Sequence, residues 1–117
     1  MNYSDLQVWQ KAMDLVEEIY LLTGKLPVEE KYGLASQIQR AAVSIPSNIA
    51  EGYARASTKE YIKFLHIAKG SNAELFTQLL ICERIKLLNV EEIRDVKSLS
   101  QEVGKMLSSM ILKLEEK

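Results

Sequence analysis

The chain has 117 residues, of which 47% are hydrophobic and 26% charged, and it contains only two prolines and five glycines. This length predicts one domain over residues 1–117, and the composition favours helices over a turn-rich all-β fold. The net charge of -1, from 15 basic and 16 acidic residues, excludes a general attraction to nucleic acid or anionic lipid, so any such binding must be local.

Cysteine usage and the polar N-terminus predict the cellular compartment. Cys82 is the only cysteine, so no intrachain disulfide can form, and its apolar neighbours Leu79 and Ile81 are typical of a core. The first residues lack a signal-peptide pattern. No run approaches the roughly 18 apolar residues of a membrane span. We therefore expect a soluble, cytoplasmic bacterial protein that does not bind membranes.

The first predicted helix opens at Ser4 or Asp5, either of which can cap a helix. Its apolar residues recur in steps of three and four, which is helical spacing. They form two adjacent rows: Leu6, Trp9, Met13, Val16 and Tyr20, then Val8, Ala12, Leu15, Ile19 and Leu22. Gly24 and Pro27 end the segment, so this helix presents a wide apolar face.

The second predicted helix begins around Glu30 to Tyr32 and continues to Tyr53. One apolar stripe runs through it, comprising Leu34, Ile38, Ala42, Ile45, Ile49 and Tyr53. Pro46 lies inside this segment, where proline removes a backbone hydrogen bond and clashes with the preceding turn. Because the stripe stays in phase across the proline, we expect one helix kinked at Pro46 rather than two helices.

The third predicted helix starts after Ser57, which is followed three residues later by Glu60 in a capping-box pattern. Its periodicity persists for about thirty residues. Gly70 and Ser71 lie in its middle, and close approach of another helix would explain a glycine there.

The fourth predicted helix follows Asn89, and its inward stripe comprises Ile93, Val96, Ser100, Val103, Leu107, Met110 and Leu114. Four amphipathic segments with short polar connections predict an all-α, antiparallel up-down four-helix bundle. Several apolar faces are wider than one inward stripe requires, so we also expect a homo-oligomer.

Catalytic and metal-binding residues are scarce. His66 is the only histidine, which is too few for a di-iron or di-manganese bundle, and Cys82 has an apolar setting unsuited to a nucleophile. The glycines are scattered singly, so no phosphate-binding loop is present. We therefore predict no catalytic residues, no metal, no cofactor and no small-molecule substrate.

A polar stripe surrounds Pro46 on the second helix. It comprises Gln37, Arg40, Ser44, Ser47, Asn48, Glu51 and Arg55, and Ser71, Asn72 and Glu74 of the third helix could face it. One interpretation is a binding groove. The other, which we favour, is that these groups satisfy the backbone freed by the proline and join helices, within or between subunits.

Local positive charge gives a second candidate site. Residues 57–88 contain five basic and three acidic side chains, whereas both flanking regions are net acidic. Phosphate contacts would come from basic residues on and near the third helix: Arg40, Arg55, Lys59, Lys63 and Lys69. The commoner alternative is a solvated face of mixed charge.

Residues 37–52, QIQRAAVSIPSNIAEG, closely resemble the signature of the 23S rRNA-intervening sequence proteins, also called S23 ribosomal proteins. Residues 6–12, LQVWQKA, and 64–75, FLHIAKGSNAEL, are similar to the same family. The resemblance implies an antiparallel four-helix bundle that assembles into a ring-like homo-oligomer, typically a pentamer. The polar residues that match the family pattern are Arg40, Ser44, Asn48, Glu51, Ser71 and Glu74.

Three functional hypotheses follow. The leading one is a non-enzymatic oligomeric protein that is accessory to RNA or to a nucleic-acid enzyme. The resemblance implies such a role only through a related group, the accessory proteins of diversity-generating retroelements, which are similar in fold and bind nucleic acid and a reverse transcriptase. The alternative is a protein-protein interaction scaffold that binds no nucleic acid. The least favoured is a hydrolase centred on Arg40, Glu51 and Glu74.

Overall fold

The computed structural model describes residues 2–116, in which helices are the only regular elements. The four long helices are α1 (Gln7–Thr23), α2 (Leu34–Tyr53), α3 (Thr58–Arg84) and α4 (Val90–Glu115). Two short 3-10 helices, Tyr3–Asp5 and Val28–Glu30, precede α1 and α2. The all-α four-helix bundle predicted from the sequence is confirmed. Within the described chain, no helix has the length and apolarity needed to cross a lipid bilayer.

The start of the chain differs from the sequence prediction. Asn2, not Ser4 or Asp5, provides the first cap: its side chain accepts from the Ser4 amide at 3.2 Å, while Asp5 Oδ2 accepts from the Asn2 amide at 2.9 Å. These bonds close the 3-10 turn Tyr3–Asp5. Helix α1 then begins at Gln7 without a side-chain cap. Asp5 therefore points back to Asn2 instead of capping the long helix.

Helix α2 begins at Leu34, later than predicted, because the preceding segment is held by bonds between residues three apart. The Glu30 amide donates to the Pro27 carbonyl at 2.9 Å, and the Gly33 amide donates to the Glu30 carbonyl at 3.1 Å. The helix then runs uninterrupted across buried Pro46. The single helix is as predicted, and the kink at Pro46 stays a prediction.

Local signals set the ends of α3 and α4. The Ser57 side chain accepts from the Glu60 amide at 3.2 Å, which is one half of the predicted capping box, and Asn89 with Glu92 forms a reciprocal capping box before α4. Helix α3 ends where Lys86 adopts φ 64°. That left-handed turn lets the Leu87 amide donate to the Cys82 carbonyl at 2.9 Å.

The core shows which apolar row of α1 faces inward. Of the two predicted rows, the one from Val8 to Leu22 is buried, whereas Met13 and Tyr20 of the other row are exposed. The core side chains of all four helices form one continuous cluster. Both rows have helical spacing, so the spacing alone did not show which row forms the core and which lies beside it.

Two glycines mark close packing, and neither is the predicted one. A Cβ on Gly70 would meet nothing within 4 Å, so the expected close approach at Gly70 is wrong. A Cβ on Gly52 would instead lie 2.7 Å from Phe64 Cβ, and one on Gly104 would lie 3.0 Å from Asn72 Nδ2. The tight contacts are thus α2 with α3 at Gly52, and α3 with α4 at Gly104.

Neighbouring helices are joined by polar contacts as well as by the core. Helix α1 packs on α2 and α4, and α3 packs on the same two helices, so α1 and α3 lie diagonally in the bundle. Lys97 Nζ lies 3.2 Å from Glu83 Oε1, and His66 Nε2 lies 3.9 Å from Glu115 Oε2. The first pair joins the end of α3 to the first half of α4, and the second pair joins the first half of α3 to the end of α4. They favour the antiparallel order, which stays a prediction.

Candidate functional site

The polar stripe of α2 faces α3 in a small surface groove. The groove has a volume of about 300 Å³ and is lined by Gln37, Arg40, Ala41, Ser44, Ser71 and Glu74. Its position explains why the sequence spaces these residues by three and four: such residues lie on one side of a helix. The structure thus brings four of the six family-pattern residues, Arg40, Ser44, Ser71 and Glu74, to one place.

Hydrogen bonds within the protein occupy the middle of this groove. The Ser44 and Ser71 hydroxyls are 2.8 Å apart, which ties α2 to α3. Asn48 Nδ2 donates to the Ser44 carbonyl at 2.8 Å and to its hydroxyl at 2.9 Å. Ser47 lies outside this groove, on the side of α2 that faces Trp9 and Met13 of α1, and donates to the Val43 carbonyl at 2.8 Å. The carbonyl that loses its donor at Pro46 is that of Ala42, four residues earlier, whereas these bonds end on the Val43 and Ser44 carbonyls. They therefore do not satisfy the backbone freed by the proline, but the Ser44–Ser71 pair agrees with the expected role of the stripe in joining helices.

Asn72 does not belong to this groove, contrary to the sequence expectation. It turns towards α4, where its Nδ2 donates to the Ser100 carbonyl at 2.9 Å and its Oδ1 accepts from the Ser100 hydroxyl at 2.8 Å. Ser71 and Asn72 are adjacent, so their side chains leave α3 about 100° apart and reach different neighbours. Periodicity could not reveal the polar pair, because Ser100 occupies what reads as an apolar stripe position.

The hydrolase hypothesis, the least favoured of the three, requires Arg40, Glu51 and Glu74 in one place, and the structure does not bring them together. Glu51 Oε1 lies 3.4 Å from Arg55 Nη2, whereas Glu74 accepts from Gln78 Nε2 at 3.4 Å beside Arg40. Because α2 and α3 meet at Ser44 and Ser71, Glu51 lies roughly 10 Å along the helix axis from the level of that contact. Glu51 therefore does not join Glu74 and Arg40 in one centre.

The five predicted phosphate contacts are all exposed, but the structure divides them. Arg55 lies just after α2, with its guanidinium 4.9 Å from the centre of the Phe64 ring. Lys59 and Lys63 lie in the first two turns of α3, and Lys63 directly precedes Phe64 in the chain. Arg40 is fifteen residues before Arg55, about 22 Å along α2. Lys69 faces α4 instead, in a groove that also contains Lys105. Only Arg55, Lys59 and Lys63 form a local group.

Within the described residues, no group of three or more His, Cys, Asp and Glu side chains is positioned to hold a metal ion. His66 is exposed and its nearest acidic partner is Glu115 of α4. Helical spacing alone could not predict this partner, because it lies on a different helix.

Cys82 is fully buried, and this burial raises the pKa of its thiol, with a smaller contribution from the Glu30 carboxylate. The native state therefore holds the thiol proton more tightly than the unfolded chain does. Stability is unaffected well below the ordinary thiol pKa of 9.0 and falls as the pH rises through and above it, because the unfolded chain then loses the proton first.

We expect urea unfolding between pH 7.5 and 9.5 to show a larger loss of stability in the wild type than in Cys82→Ala. All other titrating groups are shared by the two proteins, so the difference isolates the thiol. Equal losses would contradict burial of the cysteine.

Comparison with known proteins agrees with this architecture. The sequence model of the 23S rRNA-intervening sequence proteins matches residues 4–109. A protein of unknown function from the S23 ribosomal protein family of Bacteroides thetaiotaomicron has a similar solved structure, with a TM-score of 0.83 and 28% sequence identity. The match covers 89% of this chain and 97% of that chain. No curated protein matches the chain. The chain belongs to the family of 23S rRNA-intervening sequence proteins.

Proposed function

We propose that this protein is a non-enzymatic assembly protein that forms a homo-oligomer and binds other macromolecules instead of converting a substrate. The observation that carries the proposal is the outer face of α3, defined by Ile67, Gly70, Ala73, Thr77, Leu80 and Ile81. Ile67, Leu80 and Ile81 are each 42% exposed. Gly70, Ala73 and Thr77 of this face are small, and the exposed Glu74, seven residues from both Ile67 and Ile81, adds one carboxylate to the same side of the helix. An apolar row of this kind on a soluble bundle is typical of an interaction surface.

The separation of Glu51 from Glu74 supports a role without catalysis, because general acid-base chemistry requires its groups around one substrate.

The resemblance of residues 37–52 to the family signature supports a ring, typically of five subunits. We therefore expect native mass spectrometry to give the mass of several chains, each of 13.3 kDa, in one complex. A mass of one chain at micromolar concentration would contradict self-association.

Ile81→Lys is expected to reduce this mass, since a lysine on the outer face of α3 would place a hydrated charge in an apolar contact. Val28→Lys is the matched control, because Val28 is 79% exposed and lies in the connection before α2. Light scattering compares the two variants with the wild type. Equal masses in all three would exclude the outer face of α3 from the assembly.

A role as an accessory to RNA is the second candidate, and the group formed by Arg55, Lys59 and Lys63 favours it. Lys59 and Lys63 are one helical turn apart, and within residues 2–116 neither forms an ion pair. Arg55 forms an ion pair with Glu51, and the Glu51 carboxylate offsets part of the positive charge of this group. In an oligomer the group would recur on every subunit, so weak phosphate contacts would combine into stronger binding.

Lys59→Gln with Lys63→Gln is expected to weaken binding to a structured RNA about tenfold or more at low salt and to flatten its salt dependence. Fluorescence anisotropy at two salt concentrations measures both effects. The control is Lys25→Gln with Lys113→Gln, which removes the same charge elsewhere. Absence of wild-type binding at low salt would leave the protein-binding scaffold as the function.

A further inference from the structure

A groove in two adjoining sections runs along the surface between α3 and α4. Its first section, of about 690 Å³, is lined by Phe76 and Ala73 with Gly104 opposite. At Thr77 it meets a second section of similar volume that continues to Leu80 and Ile81. The missing side chain at Gly104 helps to open the groove, and the aromatic and aliphatic groups give it apolar walls.

The rim of this α3–α4 groove is basic. Lys69 and Lys105 border the first section, and Arg84 and Lys97 border the second. Glu83 is the single carboxylate among the lining residues, and it is already paired with Lys97 at 3.2 Å. Within residues 2–116, Lys69, Arg84 and Lys105 have no acidic partner. An apolar channel with unpaired cations on its rim matches an amphipathic helix that carries carboxylates.

The chain itself contains such a helix. The outer face of α1, defined by Gln10, Met13, Asp14, Glu17, Tyr20 and Leu21, combines acidic and apolar residues and contains no lysine or arginine. Tyr20 is 50% and Leu21 76% exposed, so these large side chains have little to pack against within the subunit. Among the described residues, Asp14 and Glu17 form no ion pair.

The two surfaces also match in length and position. The groove spans Lys69 to Arg84, about 22 Å along α3, and the 17 residues of α1 extend about 25 Å. Because α1 and α3 lie diagonally in the bundle, the outer face of α1 and the α3–α4 groove are on different sides of the subunit. Contact between two unlike surfaces of identical subunits is head-to-tail, which closes into a ring when the rotation permits.

We infer that the outer face of α1 of one copy docks into the α3–α4 groove of the next copy. Met13 and Leu21 pack on the apolar walls, while Asp14 and Glu17 pair with the cations on the rim. This inference rests on the proposed self-association and adds to it which surfaces meet and with what charges.

Charge reversal tests the pairing. Lys69→Glu with Lys105→Glu, and separately Asp14→Lys with Glu17→Lys, should each lower the native mass towards one chain. All four substitutions in one chain should restore the oligomer, because every contact is again between opposite charges. Lys25→Glu with Lys113→Glu is the control, with the same charge change as the groove variant, and it should keep the wild-type mass. Circular dichroism verifies that every variant is folded.

The outcomes separate this inference from the proposal beneath it. A wild-type mass of one chain would overturn self-association and the interface together. An oligomer that survives both double variants would overturn the interface alone. Folded double variants that dissociate but are not restored by the fourfold change would show that the two surfaces do not face each other. The groove would then be open to another acidic helix.

Discussion

Replacement of Gly52 by alanine is expected to lower the free energy of unfolding by about 1–3 kcal/mol, the usual cost of overpacking. The added Cβ would lie 2.7 Å from Phe64 Cβ, 3.0 Å from Tyr61 Cδ1 and 3.3 Å from the Tyr61 carbonyl oxygen. A Cβ and a carbonyl cannot move by changing rotamer, so α2 and α3 must separate. The Tyr61 ring has little freedom either, since it packs edge to face on Tyr53 with centroids 6.0 Å apart.

Gly70→Ala is the matched control for this prediction. Gly70 is also inside a long helix, yet a Cβ there would meet nothing within 4 Å. The substitution should therefore raise the free energy of unfolding by up to about 1 kcal/mol, because alanine loses less backbone entropy than glycine. Urea unfolding followed by circular dichroism, at equal protein concentration, measures both variants. A Gly52→Ala protein as stable as Gly70→Ala would show that α2 and α3 do not meet at Gly52.

Loss of either member of the Asn72–Ser100 pair is expected to cost about 1–3 kcal/mol, because each leaves buried polar atoms without a partner. Ser100 is fully buried and Asn72 is 7% exposed. Ser100→Ala removes the hydroxyl that donates to Asn72 Oδ1. Asn72→Leu removes both the acceptor of that bond and the donor to the Ser100 carbonyl.

The double variant Asn72→Leu with Ser100→Ala should lose less stability than the sum of the two single variants. Removing both partners leaves no orphaned hydroxyl or amide, so the coupling energy in a double-mutant cycle should be about 1 kcal/mol or more. Ser109→Ala, at an exposed position of the same helix, should change stability by less than about 0.5 kcal/mol. Additive single effects would contradict a direct contact between the two side chains.

This pair also shapes the surface between α3 and α4. Asn72 and Ser100 both line the α3–α4 groove, and a Cβ on Gly104 would approach Asn72 Nδ2 to 3.0 Å. The hydrogen bonds therefore hold the two helices at one spacing below the apolar walls. A variant that breaks the pair should consequently weaken the proposed subunit contact as well as the fold.

The features that sequence alone determined are local to one helix. The spacing of apolar residues predicted four helices, and the phase of the stripe predicted that α2 continues across Pro46. Ser57 marked the start of α3 because a capping side chain bonds an amide only three residues away. The run 37–52 was specific enough to indicate the family. The helix signals depend on neighbours within one or two helical turns, and the family run lies within the single helix α2.

Apart from Ser71 and Glu74, which the sequence placed opposite the polar stripe of α2, only the tertiary structure decided which residues meet between helices. Two rows of α1 had helical spacing, and packing selected the row of Leu15 and Ile19 for the core. Gly52 rather than Gly70 proved to be the close contact, and Asn72 turned towards α4 rather than α2. The periodicity of a helix records which side is apolar, but not which helix approaches it, how closely, or at what level. Those quantities depend on side chains far apart in the chain, and they determine where the candidate surfaces form.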